Sequence, residues 1–520
     1  MTQKKKRTHS KPSRGQVDSS ESLRHPEGAF DVVIIGGGAS GLACAIACAQ
    51  AAKRSRTSLR IAVLEAGRRI GASIMRSGNG RCNFSHAAID EARYHNAPFV
   101  RESYRALEQN LAVPSVVEWF EGLGLVWAEM PGSGGLLYPF SNKANSVLDV
   151  LRCALDDHCI EVFERTQAHA VLRASDSARA HDASVGAHAA STAADRTGAH
   201  AVVSADRSRT LATSASADHV QEHVDPSAPD PYKARVAQKS LNDTSGHSSF
   251  VVEYETTVGE GARRKGHNES PETLSGSIAA HSVVVATGGM SGIACERILS
   301  SFGLARQPEV ALLGPLKARL VRGVSLAALD GIRMQAAVSV PAQGFFEKGE
   351  ILFRKYGISG IVVFNASRYA HEGDELFLDL VPNSSQEQLE DLLCRRMDLR
   401  HRAESFLTGF VVEPLAQAIL KMAGIDPQKN VTTADAKKIA RALKQFPLIV
   451  EGIADERSCQ VKRGGVRVDE VDPATLQAEP GLYVLGEALD VDGPCGGYNL
   501  HWAWVTGLLA GFDIGSRATV

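Results

Sequence analysis

The chain has 520 residues, 44% of them hydrophobic, and a formal net charge of −2. That length is a prior for two to four domains and that apolar content can fill a sizeable core, while the near-neutral charge excludes any global electrostatic pull toward nucleic acid or an anionic membrane. Nine cysteines without a CxxC and without framework spacing exclude a disulfide scaffold and point to reduced thiols in a reducing, cytoplasmic compartment.

Residues 1–28 are polar and rich in Lys, Arg, Ser and Pro, and are expected to form a disordered basic tail. Its KKKR run is an alternative RNA-contacting arm, but it has no aromatics to stack on bases. From Val32 to Ala49 the run VVIIGGGASGLACAIACA carries no charge over 18 residues. After a basic arm this resembles a signal or anchor. Three consecutive glycines and the preceding Asp31 favour a buried parallel strand followed by a buried helix.

Gly36, Gly38 and Gly41 form G-x-G-x-x-G between that strand and that helix. The first glycine makes the tight turn, the second lets a pyrophosphate approach the backbone, and the third lets helix and strand pack. The helix N-terminus attracts the phosphates. A second strand, LRIAVLEAG, ends at Glu65, 24 residues after Gly41, where an acid accepts ribose hydroxyls. Motif, strand, helix and acid in this order read as a dinucleotide site. Cys44 and Cys48 lie four apart on the first helix and are expected to pack rather than bridge.

Twelve residues past Glu65 lies SGNGRCNFSH. Gly78 and Gly80 permit unusual backbone and close approach to a flat ligand; Arg81 and Asn83 offer hydrogen bonds. Cys82 and His86 lack two further ligands for a metal, and no partner cysteine is near. NKANSVLDVLRCAL reads as a helix and IEVFERTQAHAVLR as strand again. These complete the first part of the α/β domain, 29–172. Residues 173–249 turn to Ala, Ser, His, Asp and Arg, expected to be a disordered low-complexity insertion in a surface hairpin. Its His219-x-x-Glu222-His223 has no apolar helix to hold a zinc site.

FVVEYETTVG and HSVVVATGG return to buried strands, the second part of the α/β domain at 250–313. Short β segments (ARLVRG, MQAAVSV, ELFLDLV) then form an inserted β domain, 314–382. Helical patterns follow at 383–450, opening on a capping box read as Ser384 with Glu387. Residues 451–465 return to the β domain and 466–520 to the α/β domain, ending in GLYVLGEALDVDGPCGGYNLHWAWVTGLLAGF: strand, glycine-rich loop, apolar helix. There Asp490 and Asp492 crowd an apolar approach without obvious structural need, and the helix N-terminus beginning at Tyr498, Asn499 and Leu500 would face the pyrimidine side of a flavin and stabilise negative charge. Glycine turns at both chain ends favour FAD, which spans more of a sheet than NAD does.

The stretches GGGASGLACA, SGNGRCNFSH, GEILFRKYGISG and GEALDVDGPCGGYNLHWAWVTG together resemble the HI0933-like family of bacterial NAD(P)/FAD-dependent flavoproteins. The likeness covers most of 30–165 and 278–515. It implies a Rossmann-type FAD-binding domain with an inserted β-barrel-like domain and a small helical domain. It also implies FAD contacts at Gly36, Gly38, Ser40, Gly41, Glu65, Gly80, Arg81, Asn83, Gly288, Gly486, Glu487, Gly497 and Asn499. The family usually has basic residues where Ala72 and Ser73 stand, and an aromatic-Thr pair where Pro494 and Cys495 stand. Lys355 and Tyr356 of GEILFRKYGISG either face the substrate side of the flavin or are a solvated lysine and a core-edge tyrosine.

The expected function is an FAD-dependent oxidoreductase that passes a hydride between flavin and a small organic substrate. NAD(P)H is the expected transient co-substrate, since no second G-x-G-x-x-G follows a strand; oxygen is the other candidate to reoxidise the flavin. Relatives are tied to conjugated steroid-like enones or to amines. The alternatives are a flavoprotein that binds or modifies tRNA and a non-catalytic flavin binder. No metal, membrane or nucleic-acid partner is expected; the catalytic residues and the oligomeric state are not legible.

Overall fold

The computed structural model describes residues 25–110, 114–176, 250–258, 272–289, 292–321, 325–399 and 402–518. The sequence expectations for the basic tail and the low-complexity insertion fall almost wholly on 1–24 and 177–249, outside the described residues, as does the His219–His223 motif.

The fold is Rossmann-type. An eight-stranded sheet holds five strands in parallel: Leu482–Val484, Glu272–Val285, Ala29–Ile35, Ile61–Glu65 and Glu161–Glu164, in that spatial order. The two strands at its centre, Ala29–Ile35 and Ile61–Glu65, are nearly all apolar because helices and loops cover both faces. The uncharged run at 32–49 divides into the first strand and the helix Ala39–Arg54. Among the described residues no helix is long and apolar enough to cross a membrane.

The run IEVFERTQAHAVLR is strand, divided in two. Glu161–Glu164 continues the parallel sheet, Arg165 takes φ +56°, and Thr166–Arg173 turns away to pair with Phe250–Val258. Arg173 sits opposite Phe250, so residues 174–249 interrupt a hairpin. Phe250–Val258 in turn pairs with the first half of Glu272–Val285, whose second half enters the parallel sheet.

A two-stranded antiparallel ribbon, Arg306–Leu312 with Val461–Val466, joins this sheet to a closed six-stranded barrel. The barrel uses Leu316–Leu320, Arg333–Val340, Phe345–Arg354, Gly357–Ser359, Glu375–Asp379 and Phe446–Ile453. Helices Gln386–Arg396, Glu413–Ala423 and Thr433–Lys444 leave the barrel after its fifth strand and share one core with it. The chain re-enters the barrel at Phe446, earlier than the sequence boundary at 450, because FPLIVEGI alternates buried and half-buried positions. The capping box also shifts by one residue: Ser385 and Gln388 make both of its arms.

The last helix, Tyr498–Arg517, lies against the first. Gly507, Gly511 and Gly515 face Ala43, Ala47 and Ala51; a Cβ at Gly511 would sit 2.6 Å from the Cys44 carbonyl oxygen and 2.7 Å from the Ala47 Cβ. Glycine at every fourth position is what lets the two backbones touch. Gly511→Ala is therefore expected to destabilise the protein by about 1–3 kcal/mol through overpacking, although alanine is the better helix former. Denaturant unfolding checks this; an unchanged or raised midpoint would contradict it.

Candidate functional site

The parallel strands all finish at one edge of the sheet, and each hands over there to a turn. At the first turn Gly36 has φ +114°, and a Cβ on it would meet the Ala286 carbonyl oxygen at 2.3 Å; one on Gly41 would meet the Gly36 oxygen at 2.0 Å. Gly38 differs. A Cβ there meets only Ser73 Oγ, at 3.6 Å, so its backbone faces open space. Two glycines are demanded by the protein's own packing, and the middle one leaves room for something else to approach. Ser40, in the first helical turn, puts Oγ against the backbone of Gly486.

Glu65 closes the second strand. Its Oε2 accepts the Gly37 N–H at 2.9 Å and its Oε1 accepts the Gly67 N–H at 2.6 Å. Each carboxylate oxygen keeps capacity for a further donor. At the end of Glu272–Val285, a Cβ on Gly288 (φ +71°) would meet no atom of the described residues within 4 Å, and the Gly289 N–H reaches Glu487 Oε2 at 3.4 Å. Burial pushes the Glu487 carboxyl up to about 7; the Gly289 amide opposes this and the negative Asp492 adds to it.

SGNGRC forms a left-handed coil: Gly78, Asn79, Gly80 and Cys82 have φ of +55°, +56°, +80° and +59°. Such backbone at Asn79 and Cys82 is rare for side chains and is held by its surroundings. Arg81 is tied back to the Gly78 carbonyl at 3.3 Å and lies over the Tyr138 ring at 5.1 Å. Burial pushes the Cys82 thiol up to about 12, with Ser77 opposing, which keeps it protonated and unreactive.

The following residue matters most. Asn83 is buried, and its Oδ1 has no hydrogen-bond partner among the described residues. That oxygen lies beside Gly497, 3.2 Å from where a Cβ would be. Gly497 has φ +92°, a Cβ on it would sit 2.5 Å from the Ser85 carbonyl oxygen, and it opens the final helix. Trp504 Nε1 donates to the Phe84 carbonyl at 2.9 Å and Trp502 Nε1 to the Gly486 carbonyl at 3.3 Å, fixing the helix to both neighbouring turns. Asn499 spends its amide on Gly493, accepting from the N–H at 2.8 Å and donating to the carbonyl at 2.9 Å, so it shapes the preceding loop. His501 Nδ1 is 2.6 Å from Ser85 Oγ; burial, helped by His86, lowers its pKa to about 3 and keeps the imidazole neutral.

The inserted barrel meets this cradle at the loop before Gly497. The Cys495 N–H donates to Asn365 Oδ1 at 2.8 Å, and Asn365 Nδ2 donates to both Glu347 oxygens at 2.9 and 3.0 Å. Glu347 is half-buried, and burial raises its pKa, with Asn365 and the more distant Arg93 opposing. Sequence reading missed Glu347; Asn365, a lone amide in the apolar segment IVVFNA, was the available signal.

Asp490 and Asp492 do have structural partners, contrary to the sequence expectation. Asp490 Oδ1 accepts the Gly464 N–H at 2.8 Å and its Oδ2 lies 3.4 Å from His95 Nε2. Asp492, fully buried, takes Arg368 Nε at 2.7 Å on Oδ1 and Arg463 Nε at 2.7 Å on Oδ2. Arg368 also donates to the Asp492 carbonyl at 3.0 Å and to the Arg93 carbonyl at 3.1 Å. Lys355 and Tyr356 line a pocket on the outside of the barrel that shares no residue with the cradle.

The cradle suits an extended dinucleotide. Three glycine turns meet at the strand ends, Gly38 is open to a pyrophosphate, Glu65 can take ribose hydroxyls, and Asn83 offers an unsatisfied buried acceptor beside a helix N-terminus. Gly36, Gly38, Ser40, Gly41, Glu65, Gly288, Gly486 and Glu487 are brought together at that edge, with Asn83 and Gly497 in contact nearby.

The family model described as "HI0933-like protein Rossmann domain" matches residues 30–217 and 228–513. The chain is 31% identical to a 3-dehydro-bile acid delta(4,6)-reductase of Clostridium scindens, over 92% of this chain and 97% of the relative. It is 24% identical to a ribosomal RNA dihydrouridine synthase of Escherichia coli, over 91% and 95% of the two chains. A solved 3-ketosteroid-delta4-(5alpha)-dehydrogenase from Rhodococcus jostii aligns with a TM-score of 0.40 at 12% identity, covering 96% of this chain and 99% of that one.

Burial alone would raise the Asp492 pKa, but Arg463 and Arg368 outweigh it and hold the carboxyl below its ordinary value. This contribution to stability is complete above the unfolded pKa of about 3.9 and is lost as pH falls through the lower folded value. Arg368→Met is expected to cost roughly 3 kcal/mol at neutral pH by leaving the buried Asp492 with Arg463 alone to offset its charge. It should also flatten the loss of stability on acidification. Urea unfolding of both proteins between neutral and acid pH checks this; equal midpoints throughout would contradict it.

Proposed function

Because the chain belongs to the HI0933-like Rossmann domain family, we propose that it is an FAD-dependent oxidoreductase that adds hydrogen across a carbon–carbon double bond conjugated to a carbonyl. Two names among its relatives support that reaction class. A delta(4,6)-reductase acting on a 3-dehydro bile acid and a dihydrouridine synthase both saturate such a bond. The substrate we favour is a small cyclic enone, in line with the relative of higher identity. We take NAD(P)H as the reductant.

FAD, held by the glycine turns at 36–41, 288–289 and 486–487 with Glu65 and Asn83, would supply the hydride chemistry. The chain's own contribution is positional and acid–base. First-turn amides of the helix at Tyr498–Leu500 concentrate positive potential beside Asn83, where negative charge on a bound ring is stabilised. One observation carries the catalytic half of the proposal. Glu347 Oε sits half-buried at the junction of barrel and cradle, oriented by Asn365, with no ion-pair partner among the described residues. A carboxyl in that setting keeps its proton to higher pH than an exposed one, and can deliver it to the carbon next to a substrate carbonyl. Its partial exposure lets water restore the proton.

Glu347→Gln is expected to lower enone turnover by about 10²–10⁴-fold, with FAD content unchanged. In the parent protein, activity falls as pH rises through the elevated Glu347 pKa; in the variant that limb is absent. Anaerobic stopped flow separates the steps. Mixing with NADPH or NADH bleaches the flavin, and a cyclic enone restores its colour only when Glu347 can donate. A chain that takes up no flavin, or whose reduced flavin is indifferent to enones, overturns the proposal.

A further inference from the structure

GEILFRKYGISG is left without a task by the cradle, yet its geometry is specific. Phe345–Arg354 and Gly357–Ser359 form a hairpin whose turn, Lys355-Tyr356, is laid across the strand Leu316–Leu320. Gly357 permits this: a Cβ on it would sit 2.1 Å from the Leu316 carbonyl oxygen, and the Ala318 N–H donates to the Tyr356 carbonyl at 3.0 Å. Along the underlying strand, Leu316, Ala318 and Leu320 point inward, so Lys317 and Arg319 point out. The partner strand bulges there: Lys317 pairs with Gly452 and Ala318 with Val450, leaving Glu451 as the extra residue between the two cations.

The result is a pocket of about 290 Å³ on the outer barrel wall, lined by Lys317, Arg319, Lys355, Tyr356 and Glu451. Glu451 is shared, lying 3.4 Å from Lys317 Nζ and 3.5 Å from Arg319 Nε. Among the described lining residues three cations face one carboxylate; the neighbouring Asp330 is matched by Arg354, 3.7 Å away. The Lys355 ammonium is in no ion pair among the described residues, its backbone N–H alone being held by Asp330 Oδ1 at 3.2 Å. Tyr356 is 38% exposed, and the Arg354 guanidinium lies over its ring, 5.9 Å from the centroid. A concave surface with surplus positive charge attracts an anion; a flat exposed ring beside it accepts a base. The volume lies just under the roughly 300–1,000 Å³ of enclosing small-molecule clefts, so it suits a single phosphate-and-base unit better than a dinucleotide cofactor.

We propose that this outer pocket of the barrel is a nucleotide-phosphate site, in which Lys317, Arg319 and Lys355 hold a phosphate and Tyr356 stacks on the attached base. It is separate from the FAD cradle. It is also a local exception to the chain's near-neutral overall charge.

The test uses the full-length, FAD-loaded protein and a fluorescently labelled single-stranded oligouridylate, followed by anisotropy across a salt series. Binding is expected to weaken with salt, by a slope of about 0.7 per phosphate held. The double variant Arg319→Ala/Lys355→Ala should weaken binding by about tenfold or more and lower the slope by about one per lost contact. Tyr356→Leu should weaken the oligonucleotide while leaving competition by inorganic pyrophosphate unchanged. Unaltered FAD content and melting temperature in each variant verify folding. Displacement of the label by uridine monophosphate at similar concentration identifies a free nucleotide as the occupant; displacement by oligonucleotides alone identifies a strand. Two results would overturn the site: no binding of either probe, or equal losses from the double variant and from Lys437→Ala on the helical module.

Discussion

Backbone contact between the first and last helices organises this molecule. Gly507, Gly511 and Gly515 remove the side chains that would keep Tyr498–Arg517 away from Ala39–Arg54, and alanines on the facing helix complete the fit. The C-terminal helix thereby starts where the first strand ends. Its opening glycine is then forced against Ser85, Asn83 is enclosed, and Trp502 and Trp504 bond to the carbonyls of Gly486 and Phe84. Widening the helix pair would move the helix N-terminus, the 486 turn and the 83–85 segment together. The cradle is a consequence of how both chain ends pack.

The inserted barrel is a second body, and polar groups settle its position. Asp492, on the cradle side, is fully buried and takes guanidinium groups from Arg368, just after the short helix Ile361–Ala366, and Arg463 in the connecting ribbon. A buried carboxylate between two planar donors tolerates little displacement, since any shift leaves charge unpaired in a low-dielectric setting. The same junction places Asn365 against the Cys495 amide and Glu347 behind it. The clamp therefore fixes the distance between the barrel's carboxyl and the glycine loop that leads into the helix.

Much of this was legible from sequence where the cause is local. The glycine spacing at 36–41, the acid at Glu65 and the left-handed SGNG turn each reflect a conformation or close approach set within a few residues, and the first two stand together at the strand ends. Long-range causes were not legible. Asp492 looked superfluous because its partners lie 124 and 29 residues away. Glu347 reads as an ordinary surface acid in FFEKGE until the barrel closes and sets Asn365 beside it. The strand at Phe446 was absorbed into the helical region because the preceding helix runs almost into it, leaving only Gln445 between. The break at Arg165 left no mark in composition, since both halves of IEVFERTQAHAVLR are strand-like.

The central claim is that turns from opposite ends of the chain together hold one elongated flavin dinucleotide. Denaturing the purified protein and identifying what it releases tests this most directly. The account predicts FAD, at about one molecule per chain as expected for one strand-edge crevice. Release of FMN alone, or of no flavin from a folded chain offered FAD, would contradict it.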